Sequence, residues 1–383
     1  ALDSDASNPP PWGAVALLCI FYATGGVYTI FSVFIRDQVS ETLGTNADFV
    51  SECQSLFWLG YVASTMMLLP AFDTYGRSKP FFLAGWIGLF AAGVSFLTTE
   101  TWVYALCQFM IGFSLMPVGN MSYVWASELV PASSHNNVCS VYNVCYSAVG
   151  IGIAAASYAM KDSGIAWQVQ QALWYLPVAL GLLVGPFLVP ESLEPTMASQ
   201  KRARSGEGLD SVFRQPVLSQ TVATMVCWFA VATAYYGLSY ASDNLAPDVY
   251  LQMGLLSMVD ILCYVAAKFI VDLMGTKTAQ MTSLAGASAA LLLCAVLPEK
   301  SVPLMCASLF GRLCISVAFA TIFLLIYDFP ASLRASALGA ANVTARLGCA
   351  ISPLLATVPP SLVCGGLSLA ALCASAATWS LPA

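Results

Sequence analysis

Charge is what this 383-residue chain has least of: 14 Lys and Arg with 20 Asp and Glu make up only 9% of it, against about 25% in an ordinary soluble domain. With 58% of residues hydrophobic, the solvent around most of the chain is expected to be lipid. Histidine is reduced to one residue. His135 and Cys139 lie four apart, but one His and one Cys do not make a metal site. The 13 cysteines contain no CxxC pair, and most lie in apolar runs as small packing residues. There is no P-loop lysine and no GxGxxG in a strand–helix context, so no nucleotide motor is expected. No basic stripe with interleaved aromatics suggests a nucleic-acid partner. Enzyme chemistry lacks its parts as well: paired carboxylates in a polar context and a nucleophile motif are both missing. No cofactor or metal is expected.

What the chain does have is long apolar runs. A spanning helix needs about 20 mostly apolar residues. Such runs start near Trp12, Phe49, Pro80, Thr101, Asn137 and Trp167, then near Pro216, Asp248, Thr278, Ser301, Leu333 and Pro359. That predicts twelve spans: a half over 12–190 and a half over 215–383. Between them lies a polar linker, 191–214, with Lys201, Arg202, Arg204 and Arg214. Residues 1–11 form a polar, proline-rich tail that does not read as a signal peptide as it stands.

Two phrases recur at one offset. Phe72-Asp73-Thr-Tyr-Gly76-Arg77-Ser-Lys79 is echoed by Val271-Asp272-Leu-Met-Gly275-Thr276-Lys277, and Val130-Pro131-Ala132-Ser133 by Phe329-Pro330-Ala331-Ser332. Asp73 to Asp272 and Pro131 to Pro330 are both 199 residues. Internal duplication accounts for this, and duplicated halves in an apolar chain point to a transporter. If the linker is cytoplasmic, that face carries Arg77, Lys79, Lys201, Arg202, Arg204, Arg214, Lys277 and Arg334, and the opposite face only Arg36, Lys161 and Lys300. That excess predicts both termini inside, without saying which membrane.

The loop Asp73-x-x-Gly76-Arg77-x-Lys79 between spans two and three resembles the signature loop of the major facilitator superfamily. Trp228-Phe229 through Tyr235-Tyr236-Gly237-Leu238 resembles span seven of its organic ion branch, which carries organic anions, organic cations and carnitine. Pro330-Ala-Ser-Leu-Arg334, then Gly339, then Ala345-Arg346-Leu347-Gly348 and Pro353, resembles that branch's spans ten and eleven. Pro190-Glu191-Ser192 resembles the end of its first half. The chain departs from the branch at His135, Gln108, Thr276 and Leu193-Glu194, where the branch has Arg, Arg, Arg and the continuation Pro-Arg-Trp. The loop between spans one and two is also only about a dozen residues long.

The resemblance implies an all-α fold of twelve membrane helices in two six-helix halves, with a substrate cavity between them. Arg346 then stands mid-span, where a bare charge costs about 2.5–3.5 kcal/mol or more. In the resembling branch, anion and carnitine carriers have Arg here. It is read as an anchor for a substrate carboxylate or chloride, the alternative being a structural ion pair with Asp260. Arg312 matches a Lys of the branch's anion carriers; it either lines the cavity or snorkels from a helix end. Asp260, with Tyr264 one turn on and Lys268 two turns on, is read as a proton carrier, a partner of Arg346 or a site for a substrate amine. Tyr235 and Tyr236 are expected at the cavity, with Phe319, Phe323, Tyr142 and Tyr146 as weaker lining candidates; ordinary packing is the alternative for each, and the expected role of Trp228.

Gating is assigned to Asp73, Gly76, Arg77 and Lys79, with Glu128 as the acid that Arg77 meets. Asp272, Lys277, Asp328 and Arg334 are the second-half counterparts. Asn120-Met-Ser and Asn342-Val-Thr match the glycosylation pattern but fall within spans and are not read as glycosylated. The expected function is secondary transport of a small, carboxylate-bearing organic ion by alternating access, with membrane lipid as surroundings. One alternative is a carrier of organic cations or zwitterions. Another, suggested by the missing gate charges, is a degenerate carrier acting as a scaffold or a subunit among other membrane proteins.

Overall fold

In the computed structural model, residues 10–192, 209–330 and 333–381 are described. Lys201, Arg202, Arg204, Ala331 and Ser332, and the side chains of Asp73 and Lys268, lie outside the described residues. Twelve long helices follow one another: α1 (Trp12–Ile30), α2 (Ala47–Tyr75), α3 (Ser78–Leu97), α4 (Thr101–Leu115), α5 (His135–Met160), α6 (Trp167–Leu188), α7 (Leu218–Tyr240), α8 (Val249–Met274), α9 (Thr276–Val296), α10 (Val302–Thr321), α11 (Arg334–Ile351) and α12 (Pro360–Trp379). Each begins within about two residues of its expected start. Among the described residues, eleven segments are long and apolar enough to cross a membrane. The twelfth, α2, has the length, at 29 residues. It buries Ser51, Gln54 and Ser64 among its neighbours and exposes Leu59, Met66 and Met67 on its outer side.

The expected loop between spans one and two is itself helical. Phe31 keeps helical backbone angles, and a helix Ser32–Leu43 extends α1 beyond the span, carrying Arg36, Asp37 and Glu41. Gly44 ends it at φ +63°, and Asn46 caps α2 by accepting from the Phe49 N–H at 2.9 Å. Asp248 caps α8 and Ser301 caps α10 in the same way, so helices entering from this face bring their own acceptors. Below Leu115, α4 continues through a wide turn, Met116–Met121, and a helix Ser122–Glu128. Pro117 in that turn lacks the N–H a regular helix would use.

The 199-residue echo is visible in the backbone. Gly76 and Gly275 end α2 and α8 at φ +83° and +78°, a conformation that a side chain disfavours. Within the first half, α1 packs on α5 and α6, and α2 on α4; within the second, α7 packs on α11 and α12, and α9 on α10 and α12. The halves meet mainly where α5 packs on α8 and where α2 packs on α11 and the turn Ser352–Thr357 after it. The linker face carries the ends of α2, α6 and α8; the opposite face carries the extension of α1.

Candidate functional site

The charges that fall inside spans separate into a closed group and an open one. The closed group joins α7, α8 and α10. Asp260 and Arg312 meet as a parallel pair, Nε to Oδ1 at 2.9 Å and Nη2 to Oδ2 at 2.7 Å, each side chain 4% exposed. The Tyr235 hydroxyl donates to Oδ2 at 2.7 Å and the Ser316 hydroxyl to Oδ1 at 2.5 Å. The remaining Arg312 nitrogen, Nη1, donates to the Tyr235 carbonyl and to Ser239 Oγ. The guanidinium lies over the Tyr235 ring, 3.2 Å from its centroid. Desolvating two charges is costly unless geometry and hydrogen bonds are complete, and here they are.

This geometry decides two alternatives that the sequence left open. Asp260 pairs with Arg312, not with Arg346. Arg312 does not snorkel: it sits near the middle of α10, buried, with its head held inside.

The open group joins α11 to α2. Arg346 has no carboxylate within salt-bridge distance among the described residues, and its Nε is buried without a hydrogen-bond partner. Its guanidinium carbon lies 4.3 Å from the Tyr61 ring centroid and 5.8 Å from that of Trp58. The Tyr61 hydroxyl is likewise buried and unpartnered. Trp58 and Tyr61 escaped the sequence reading. The available signal was their stripe with Gln54: positions 54, 58 and 61 share one helix face.

Aromatic rings connect the groups. Tyr235 contacts Tyr236 at 5.1 Å and Phe319 at 5.2 Å, and Tyr236 meets Trp58 edge-on at 4.8 Å. Tyr146 reaches Thr29 Oγ1 at 3.2 Å and lies 5.8 Å from Tyr22, beside Tyr123, which the sequence reading also passed over. Two lining candidates join these rings at the edge, Tyr142 at 5.4 Å from Tyr22 and Phe323 at 6.1 Å from Phe319. Tyr142 is buried and its hydroxyl donates to the Val15 carbonyl at 2.7 Å, which ties α5 to α1. Phe323 is 45% exposed and packs edge-on against Trp228.

At the linker face, Arg77 meets Glu128 through Nε at 3.1 Å and Nη2 at 2.6 Å, the two side chains 9% and 8% exposed. Glu191, which the sequence did not single out as a gate residue, accepts from the Arg77 N–H at 2.6 Å and the Ser78 N–H at 3.1 Å. Its carboxylate thus caps the positive end of α3. A Cβ at Gly76 would lie 3.0 Å from that carboxylate. Lys79 is exposed. In the second half, the Lys277 ammonium donates to the Leu381 carbonyl, Arg334 Nε to the Phe329 carbonyl at 3.0 Å, and Asp272 is exposed. Burial raises the Asp328 carboxyl above its ordinary value, while Arg334 and Lys277 pull it down, so the expected acid stands within electrostatic reach of both cations.

The halves are fastened at the opposite face. Tyr240 of α7 donates to the Thr29 carbonyl at 2.5 Å and accepts from Gln54 and Trp58 of α2 at 3.2 and 3.1 Å. Further out, Arg36 meets Asp243 at 3.6 Å, and Phe34 stacks on Tyr250 at 5.3 Å with planes 10° apart.

A family profile described as Major Facilitator Superfamily matches residues 16–353. The chain is 25% identical over 370 residues to organic anion transporter 3 of Oryctolagus cuniculus, covering 84% of this chain and 67% of that one. It is 24% identical over 399 residues to an organic cation transporter-like protein of Drosophila melanogaster, covering 89% and 69%. It thus spans about two thirds of the length of these relatives. Among solved structures, the inward-open xylose transporter XylE of E. coli superposes with a TM-score of 0.78 at 15% identity, covering 97% and 96% of the two chains. A human organic anion transporter superposes at 0.70 with 14% identity, covering 97% and 100%.

Proposed function

This chain belongs to the major facilitator superfamily, and on that premise we propose that it is a secondary transporter of small, carboxylate-bearing organic ions. The two halves rock about a site between α2, α7, α8, α10 and α11, with both termini and the linker cytoplasmic. The observation that carries the carboxylate reading is the unpaired guanidinium of Arg346, inside a span and facing aromatic rings from the other half. An unneutralised cation at that depth is costly and is retained where a ligand supplies the counter-charge. Arg offers a planar fork that a carboxylate meets with two hydrogen bonds, and Trp58, Tyr61 and Tyr236 supply flat apolar surface for the rest of the substrate. The exposed Phe323 and the backbone-bound Tyr142 serve packing in this reading.

The carrier of organic cations loses its main support, because the Asp260 carboxylate is neutralised by Arg312. The scaffold reading loses support from the intact Arg77–Glu128–Glu191 cluster, which favours a working gate. Uptake by purified protein in liposomes, against a panel of organic anions, cations and zwitterions, tests the proposal. Arg346→Gln should abolish uptake of anions and leave the fold intact. Undiminished anion uptake by that variant would remove the anchor, and uptake of cations alone would replace the reading.

A further inference from the structure

We propose that Asp260 is a specificity-determining residue: by neutralising Arg312 it leaves Arg346 as the one uncompensated cation among the described side chains of the site, so that the protein takes organic monoanions and discriminates against dianions. The proposal rests on the carboxylate reading above and adds a limit on substrate charge.

The carboxylate of the closed group is saturated and its guanidinium nearly so, with one Nη2 N–H left over. An ionised carboxylate has about four acceptor sites and a guanidinium five N–H donors. Asp260 accepts from Arg312 Nε, Arg312 Nη2, Tyr235 and Ser316. Arg312 gives four bonds in return, two to Asp260, one to the Tyr235 carbonyl and one to Ser239, and its face is covered by the Tyr235 ring. No fork remains for a second carboxylate. Arg346 is the reverse case: an unpartnered Nε, no acid at salt-bridge distance among the described residues, and two rings beneath it. Aromatic faces stabilise a cation without cancelling its charge.

Among the described side chains in the span interiors, the charges are therefore +1 and −1 for Arg312 and Asp260, and +1 for Arg346. Lys268 lies two turns nearer the linker face, with its side chain outside the described residues. The two groups share one aromatic wall, Tyr235 to Tyr236 to Trp58, so a ligand on Arg346 lies in the field of both. In surroundings of low dielectric an uncompensated charge is expensive. A monoanion on Arg346 brings the site to zero; a dianion leaves it at −1, with the Asp260 carboxylate nearby and no second free cationic fork to answer it.

The test compares matched pairs on one skeleton: phenylacetate with 1,4-phenylenediacetate, octanoate with suberate, and each diacid with its half-methyl ester. Full-chain protein in liposomes is assayed for uptake of each labelled acid and for competition between them at neutral pH. Monoacids and half-esters should compete at least about tenfold better than the diacids, and folded Asp260→Asn, which frees Arg312, should narrow that gap to about threefold or less. Diacids competing as well as their half-esters in the native protein would overturn the charge limit while leaving the carboxylate reading in place, and so would a folded Asp260→Asn protein with undiminished discrimination. Absence of uptake and competition by acids of either charge would overturn both. Should Asp260→Asn fail to fold, the native comparison decides alone.

Discussion

Arg312 and Asp260 hold each other through two parallel hydrogen bonds, each side chain only 4% exposed. Breaking such a pair from one side leaves a buried charge without a partner, at a cost of about 3–5 kcal/mol, whereas replacing both members by apolar groups of similar volume is often neutral. Arg312→Met and Asp260→Leu should therefore each lower the melting temperature of the purified protein sharply, and the double variant should recover most of the loss. Thermal unfolding of the four proteins in one detergent closes the cycle. Additive losses would mean that the pair does not act as a unit.

The twelve spans were legible because lipid demands length and apolarity along the sequence, and both signals are one-dimensional. The repeated loops were legible because Gly76 and Gly275 must supply the same positive φ. The partner of Asp260 was not. Asp260, Arg312 and Arg346 all read as mid-span, and depth alone leaves their pairing open. The direction each faces around its helix decides it, and that depends on how α8, α10 and α11 pack. Trp58 and Tyr61 were hidden for the same reason: they matter because α2 lies against α11 of the other half. Glu191 was quoted as part of a motif, and its role as the acceptor capping α3 needed the fold.

Small residues set the closest contact within the first half. A Cβ on Gly60 of α2 would sit 2.0 Å from the Phe109 carbonyl oxygen, and one on Gly112 of α4 would sit 1.7 Å from that of Phe57. Both neighbours are backbone, so a whole helix must move. Close helix approach through small residues is a main source of association in lipid. Gly60→Ala and Gly112→Ala should each destabilise by about 1–3 kcal/mol or more. The double variant should cost less than the sum, since one displacement relieves both clashes. Melting curves of the three variants measure this.

Arg77 and Glu128 make the same kind of closed pair at the linker face, with the α3 terminus alongside. Arg77→Lys keeps the charge but gives up the planar fork. Its uptake rate should fall several-fold while the fold survives. Arg77→Ala should cost about 3–5 kcal/mol unless Glu128→Gln is introduced with it, which should restore most of the stability. Equal uptake by native protein and Arg77→Lys would show that charge alone suffices there.

The opposite face should behave differently, because its ion pair is exposed. Arg36 and Asp243 lie 3.6 Å apart with 21% and 44% of their side chains accessible, and Lys300 approaches Asp243 at 3.8 Å. Exposed pairs contribute about 0–1 kcal/mol to stability, so neither Arg36→Glu nor its reversal should shift the melting temperature much. In the proposed rocking cycle transport is more sensitive, since the two residues sit on different halves and would part when this face opens. Arg36→Glu places two carboxylates together across the seam and should slow closure, lowering initial uptake several-fold. Adding Asp243→Arg re-forms the attraction with the signs exchanged. Recovery should be partial, because Lys300 then faces a cation. Raising the salt from about 0.01 M to 0.5 M should shrink the difference between native protein and Arg36→Glu, as screening weakens exposed charges. Single and double variants impaired to the same degree at both salt concentrations would show that closure rests on the stacked Phe34 and Tyr250 rings rather than on the ion pair.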